Sequence, residues 1–286
     1  MKLGTILKKG ILGLAVAFGA VSAYAAPIPA FGLTGSGPIE IKFTGFTAPS
    51  ADGGAGLFGS GKESTFGAGY VGDIHDQNNA SNIFWQPGNA TGSMSYMLWG
   101  MADISTTPSL GGFDLFNKGC TVGPNCDGNL HISFYLDNTT AMGGTNPGFA
   151  GAGSISPGSR VGNTLGGLTD GTLLMDWIMV PGVVIGDPTT TMFQHVNSIT
   201  LPATGNGSFY AECASGPACA TFQQPGADFF GVFTLKDNSL TDSGRNGWLG
   251  AIADPVVGNA VPEPATILLF ALGLLGLAGS ARRRKF

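Results

Sequence analysis

Apolar and polar residues alternate along Ile39-Glu-Ile-Lys-Phe-Thr-Gly-Phe46, and again along Leu130-His-Ile-Ser-Phe-Tyr-Leu136. A period of two sends successive side chains to opposite faces, which predicts half-buried β-strands. Further strands are expected over residues 63–74, 93–104, 173–184, 207–213 and 229–235. Pieces rich in glycine, proline, asparagine and serine separate them, at 48–57, 140–160 and 201–208, and read as turns. The glycine-rich run 142–167 is longer than most structureless loops and predicts an excursion from the fold. No body segment has a helical amphipathic period, and 48 glycines with few Lys, Glu or Arg argue against long helices. The pattern therefore predicts an all-β protein, an antiparallel β-sandwich with a jelly-roll as one form of it. Nineteen Phe and four Trp supply enough apolar anchors to exclude disorder.

The two ends follow other rules. Lys2, Lys8 and Lys9 precede an apolar run over 10–21, and Ala23-Tyr24-Ala25 then offers a small-x-small cleavage site before Ala26. This is the signature of a secretory signal peptide over 1–25, handled by the secretion translocon and signal peptidase. At the other end, Val261-Pro262-Glu263-Pro264 is a stiff non-helical step, because each proline fixes its own φ and disfavours helix in the residue before it. Residues 265–279 carry no charge, and at about 1.5 Å per residue a helix over them spans roughly 22 Å. Extended to 265–281, a helix there just crosses a bilayer, with Arg282, Arg283, Arg284 and Lys285 held on the cytoplasmic side. A buried C-terminal helix of a soluble domain is the other reading, but it leaves the four terminal cations unexplained. The body is then 26–245, followed by a linker over 246–260 and the tail over 261–286.

Val-Pro-Glu-Pro-Ala-Thr, a short Leu/Gly-rich helix and a terminal Arg cluster together resemble the PEP-CTERM sorting signal of Gram-negative bacteria. That resemblance covers about the last 26 residues. It implies processing by an exosortase, a membrane-embedded transpeptidase-like enzyme that acts near Pro262-Glu263-Pro264 and removes the tail. It also implies transient anchoring in the inner membrane, then delivery to the cell surface or extracellular matrix. A hydrophobic tail used as a transient handle has a parallel in the GPI signal. Such tails are sometimes labelled ice-binding-protein C-terminal domains, which says nothing about the body.

Setting the ends aside changes the charge. The signal holds three lysines and the tail four cations and Glu263, so the body keeps six basic and seventeen acidic residues, a net charge of −11. A surface of that sign repels phosphate backbones and excludes nucleic acid as a partner. Cys120-TVGPN-Cys126 and Cys213-ASGPA-Cys219 share one spacing. In an oxidising compartment an even count of this kind predicts disulfides, local pairs Cys120–Cys126 and Cys213–Cys219 or else cross-pairing between the loops. Zinc sites and redox motifs favour shorter spacings.

Few residues suggest chemistry. Gly56-LFGS-Gly61-Lys62 opens like a phosphate-binding loop, but Glu63 stands where Ser or Thr must hold magnesium. Asp73, His75 and Asp76 form the densest ionisable cluster; His131 and His195 lie apart on strands. Asp237 and Asp242 lie in an oxygen-rich stretch that offers a calcium site, though turn chemistry explains it more simply. Trp85 in Asn82-IFWQPG-Asn89 is a core anchor or a platform for a sugar ring, while Trp99 and Trp177 are expected to pack. The Thr189-Thr190-Thr191 cluster is too isolated for a regular ice-binding face. The reading is of a non-enzymatic surface or matrix protein without a cofactor, with extracellular polysaccharide as a partner. A carbohydrate-binding module and a secreted hydrolase are the alternatives, the latter needing two carboxylates about 5–10 Å apart across a cleft.

Overall fold

Ile39, Ile41 and Phe43 are buried while Lys42 and Thr44, on either side of Phe43, are exposed, so β1 (Gly37–Pro49) turns one face inward as its alternation predicts. The computed structural model describes residues 37–51, 58–88, 92–137, 155–199, 203–219, 222, 227–237, 247–248 and 250–260. The sequence-predicted stretches become β2 (Thr65–Asp76), β4 (Ser93–Ser109), β6 (His131–Asp137), β9 (Thr172–Val180), β11 (Ala203–Ser215) and β12 (Phe229–Asp237). Strands not foreseen are β3 (Asn79–Trp85), β5 (Gly112–Gly119), β10 (Met192–Val196) and β13 (Gly250–Ala260), with the two-residue strands β7 (Arg160–Val161) and β8 (Thr164–Leu165).

The expected antiparallel all-β fold is present, and its pairing goes further than an open sandwich. β1 pairs with β13 on one edge and β2 on the other. The ladder then runs from β2 to β4, β6, β9, β11 and β12 and returns to β13, so it closes into a ring. Two long strands, β4 and β11, each serve two shorter neighbours on one edge. β4 meets β6 along its first half and β5 along its second; β11 meets β10 and then β9. Since β5 and β10 pair with each other, the ring closes along both halves.

Three expectations change. Residues 250–260 are not a linker: they form β13, hydrogen-bonded on both edges, and the compact unit runs from Ser36 to Val261. The stretch 201–208 is not all turn, since β11 begins at Ala203, and β9 stops at Val180 rather than Val184. The described part of the excursion, from Ile155, carries a 3-10 turn (Pro157–Ser159) and the β7–β8 ribbon. Residues 1–25 and 261–286 lie outside the described residues, and with them the signal cleavage residues, the terminal helix and the arginine cluster.

One half of the ring interior is filled with aromatic rings. Trp177 stacks on Phe229 at 3.8 Å between centroids, Phe134 lies 4.5 Å from Trp177, and Phe222 adds to Phe229 at 4.9 Å. The Cys213–Cys219 disulfide ties the loop that follows β11 beside this cluster, and Cys120–Cys126 closes the loop after β5. On the outer side Phe46, Phe66 and Met97 are covered by Leu165 and Leu168 of the excursion and by Trp248, whose indole N–H donates to the Ile155 carbonyl.

A buried ion pair fixes this cover. Glu63, wholly buried, receives both guanidinium nitrogens of Arg160 at 2.6 and 3.0 Å, the Ser50 hydroxyl at 2.7 Å and the Gly100 amide at 2.7 Å. Arg160 also lies 4.3 Å over the Phe66 ring. The residue that spoils a phosphate-binding loop therefore joins β1, β4 and the excursion at one carboxylate. Glu63→Gln leaves a buried guanidinium without its counter-charge and is expected to cost about 3 kcal/mol of unfolding free energy, measured in urea. Replacing both residues by Met is expected to recover most of that loss. A single-variant loss below about 0.5 kcal/mol would mean that the pair behaves as a solvated one.

Candidate functional site

Each of the three histidines meets an aspartate. His75, buried on β2, has Nδ1 2.5 Å from Asp73 and Nε2 3.6 Å from Glu40 of β1. His195 of β10 lies 2.8 Å from Asp114 of β5, with the Ser109 hydroxyl 2.9 Å from the same carboxylate. His131 is the most elaborated. Its Nδ1 is 2.9 Å from Asp176 and its Nε2 3.0 Å from Asp127, while its ring stacks on Trp99 at 3.8 Å and 3°. Ser133 donates to the other Asp176 oxygen at 2.6 Å and accepts from the Trp99 indole at 2.9 Å.

The residue types are those of a hydrolytic triad, but the order of contacts is not. A nucleophile needs its hydroxyl against the imidazole, and here the Ser133 proton goes to the carboxylate. Both histidine nitrogens face carboxylate oxygens, which only accept, so the imidazolium satisfies them best. The two carboxylates sit at opposite ring nitrogens and do not converge on a common point. Among the described residues no group of three His, Cys, Asp or Glu converges as a metal site. Burial of the His131 ring opposes protonation, but the hydrogen bonds and charges of Asp176 and Asp127 outweigh it and raise its pKa above 6.5. Asp127 is desolvated too, yet the Asn129 amide and His131 bring it below the ordinary carboxylate value.

One site with room for another molecule is inside the ring. A cavity of about 390 Å³ occupies the half not filled by the aromatic cluster. Its wall is mostly apolar, from Phe43, Leu98, Ile132, Met192, Phe209 and Phe233, and Phe58 and Ile199, both partly exposed, also line it. Two polar side chains of that wall, Gln194 and Asp103, are joined through Asn117, which is wholly buried behind it. Gln194 donates to Asn117 at 2.9 Å, and Asn117 donates to Asp103 at 2.6 Å. Burial pushes the Asp103 carboxyl pKa up, against the lowering effect of hydrogen bonds from Ser64 and Asn117. Asp103 is the one carboxylate among the residues lining the cavity.

Tyr96 stands between the two halves. Its ring packs on Phe43 at 5.0 Å and Phe134 at 6.0 Å, and it lines the cavity. Gly45 and Gly69 face each other across β1 and β2, and a Cβ on Gly45 would collide with the Tyr96 hydroxyl. Residue 96 is 2 % exposed, and its hydroxyl has no hydrogen-bond partner. Burial lifts its pKa far above the usual phenol range, so the group is a neutral hydroxyl.

The residues singled out from the sequence fare unevenly. Both local disulfides are present. Trp85 is 2 % exposed, so its face is not open to a sugar ring and it belongs to the core. Trp177 packs as expected, whereas Trp99 is only half-buried and lies against His131. Asp76 turns to its own loop, accepting from the Asn78 amide. Asp237 ends β12, and Asp242 lies outside the described residues. Thr189 and Thr190 both bond Asp187 in a turn. Asp103, Asn117, Gln194 and Tyr96 were not anticipated, because single polar residues in apolar strands give no signal until the register brings them to one wall.

Residues 260–284 match the family model of the PEP-CTERM protein-sorting motif. Such a motif marks a protein for export and cell-surface sorting, with exosortase as the processing partner. No curated protein matches the chain, and no solved structure matches it.

Two outcomes follow from this geometry. Folded His131 holds its proton more tightly than the unfolded chain does, so its contribution is complete below pH 6.5 and is lost as pH rises through its elevated folded value. Urea unfolding from pH 5.5 to 9 is expected to show His131→Gln least stable relative to the parent at the acid end, the gap narrowing as pH rises. Tyr96→Phe removes a buried hydroxyl that makes no bond, so it is expected to leave thermal stability unchanged or raise it by about 1 kcal/mol. A loss of that size would reveal a partner for the hydroxyl.

Proposed function

We propose that this chain is an exported protein that exosortase cleaves and delivers to the cell surface, where the barrel serves as a non-enzymatic component of the extracellular polysaccharide or biofilm matrix. The observation that carries the reading is the sorting motif at 260–284, which begins on the last residue of β13. Signal peptidase acts at Ala23–Ala25 and frees Ala26; exosortase acts near Pro262–Pro264. Two disulfides suit an oxidising compartment. An excess of eleven negative charges in the body favours a hydrated, soluble matrix component over one that adheres to anionic lipid.

A non-enzymatic role is supported by the contacts of the polar residues. The Ser133 hydroxyl donates to Asp176 and not to a base; the Ser109 hydroxyl, 3.2 Å from His195 Nδ1, donates to Asp114, which that same nitrogen also faces. Among the described residues lining the cavity Asp103 is the single carboxylate, where a glycosidase of the usual kind uses two. A carbohydrate-binding module has less support, since Trp85 is buried.

Intact-mass spectrometry of the mature protein from its native cells, with and without exosortase, tests the route. The expected mass starts at Ala26 and ends near Pro262–Pro264, and deleting the enzyme leaves a species that runs to Phe286. A chain retaining residues 265–286 in both strains would make the tail a permanent anchor and remove the released-matrix reading.

A further inference from the structure

We infer that the cavity inside the ring binds a small organic cation, a primary ammonium group on an apolar body, with the ammonium paired to the Asp103 carboxylate. This concerns what the barrel carries and does not depend on the sorting route.

Protein interiors are packed as closely as organic crystals, and voids much larger than a water molecule are few. A cavity of about 390 Å³ exceeds such packing gaps and falls in the range of ligand sites. Scaled from an apolar cavity of about 150 Å³ that takes up benzene, it accommodates about fifteen non-hydrogen atoms. Leu98 and Ile132, paired across β4 and β6 next to Tyr96 and Phe134, line it where it meets the packed half. An apolar body belongs there.

Asp103 lies farther along β4, at the end of the cavity away from the aromatic cluster. It pairs with Asn117 in the β4–β5 register and accepts from that side chain at 2.6 Å, which places its carboxyl on the inner face with Gln194. Its backbone is held on both edges, by β5 on one and by the Gly59 amide at 2.9 Å on the other. The accessible surface that this half-buried residue keeps therefore belongs mainly to its side chain. The Gly59 bond also brings the neighbouring Phe58 close to Asp103. Phe58 and Ile199, 39 % and 55 % exposed, connect the same wall to solvent and give a ligand its way in.

Charge narrows the ligand. The donors to Asp103 are neutral, from Asn117 and Ser64, and no Lys, Arg or His stands among the described residues that line the cavity. Folding has already stripped water from this carboxyl. An incoming ammonium therefore gains a charge-assisted hydrogen bond and gives up only its own hydration, part of which it keeps at the open end. An anion meets like charge in an apolar wall, within a body of net charge −11. A neutral molecule fills the space and leaves the carboxyl without a counter-charge.

Isothermal titration calorimetry at pH 7 on the protein in the form its cells export tests this with three ligands of one shape: 4-phenylbutylamine, 4-phenylbutan-1-ol and 4-phenylbutyrate. The amine is expected to bind about tenfold more tightly than the alcohol, the value of one hydrogen bond to a charged group, and the carboxylate to bind weakest. Asp103→Asn should bring the amine to within about threefold of the alcohol and leave the alcohol unchanged; Asp103→Ser replaces it should that variant fail to fold by circular dichroism. Ala203→Trp, in the cavity wall, should prevent binding of amine and alcohol alike, with Val196→Phe as its replacement on the same criterion. A parent protein that does not prefer the amine overturns the proposal. So does a preference that survives loss of the Asp103 charge, which would belong to the net charge of the body. Amine binding that survives a folded cavity-filling variant overturns it too, since the site would then lie on the outer surface.

Discussion

A strand edge carries a row of N–H and C=O groups, and an edge left unpaired in an aqueous matrix is a template for association with other chains. This chain meets that constraint by closing its ladder. β13 joins β1 to β12, and the paired bridges β6–β9 and β5–β10 span the gap between the long strands β4 and β11. Closure also creates an interior, and an interior bounded by eight strand positions need not be filled evenly. Here Trp177, Phe229, Phe134 and Phe222 fill one half and leave the other open. The rigid half supplies the wall against which Tyr96 is held, so the unbonded hydroxyl is a consequence of where the packing stops.

Charges inside the body follow one rule with two outcomes. Glu63 is buried and met by a bidentate guanidinium, a hydroxyl and an amide, so its charge is matched in full. Asp103 is half-buried beside the Asn117 amide and the Ser64 hydroxyl, its desolvation is offset by no salt bridge among the described residues, and its carboxyl pKa is raised. The first arrangement fastens an excursion to the ring. The second leaves a carboxyl group at an apolar cavity with neutral hydrogen-bond donors in place of a counter-charge. Such a difference separates residues that hold the fold from those available to a ligand.

Period-two alternation made β1 and β6 readable, because apolar side chains alternate with polar ones along each, although on β6 the polar His131 and Ser133 are buried too. It failed where both faces are covered: Phe46 and Phe66 look like breaks in the pattern until Leu165, Leu168 and Trp248 are seen above them. β13 was read as a linker since Gly250-Ala-Ile-Ala-Asp-Pro-Val-Val-Gly-Asn-Ala260 holds three alanines, two glycines and a proline, and its strand character comes from its neighbours and not from its own side chains. The cysteine loops were legible because their partners are local. The cavity was not, since Asp103, Asn117 and Gln194 come from three strands and meet only through the β4–β5 and β5–β10 registers.

The same register has a consequence for the order of events during export. Gly37 pairs with Ala260, so the first described strand waits for the last. The ring cannot close until nearly the whole chain has crossed the membrane, a long-range contact that slows folding. On the proposed route the segment still to come is the sorting motif, which follows β13 without a spacer. Tethering by a hydrophobic tail then coincides with ring closure, holding each chain apart from its neighbours while β12 and β1 still have open edges. A motif placed at the front of the chain, or behind a long linker, would give up that coincidence. On the proposed route, that adjacency shortens the time for which the edge most prone to wrong pairing is exposed before it is covered.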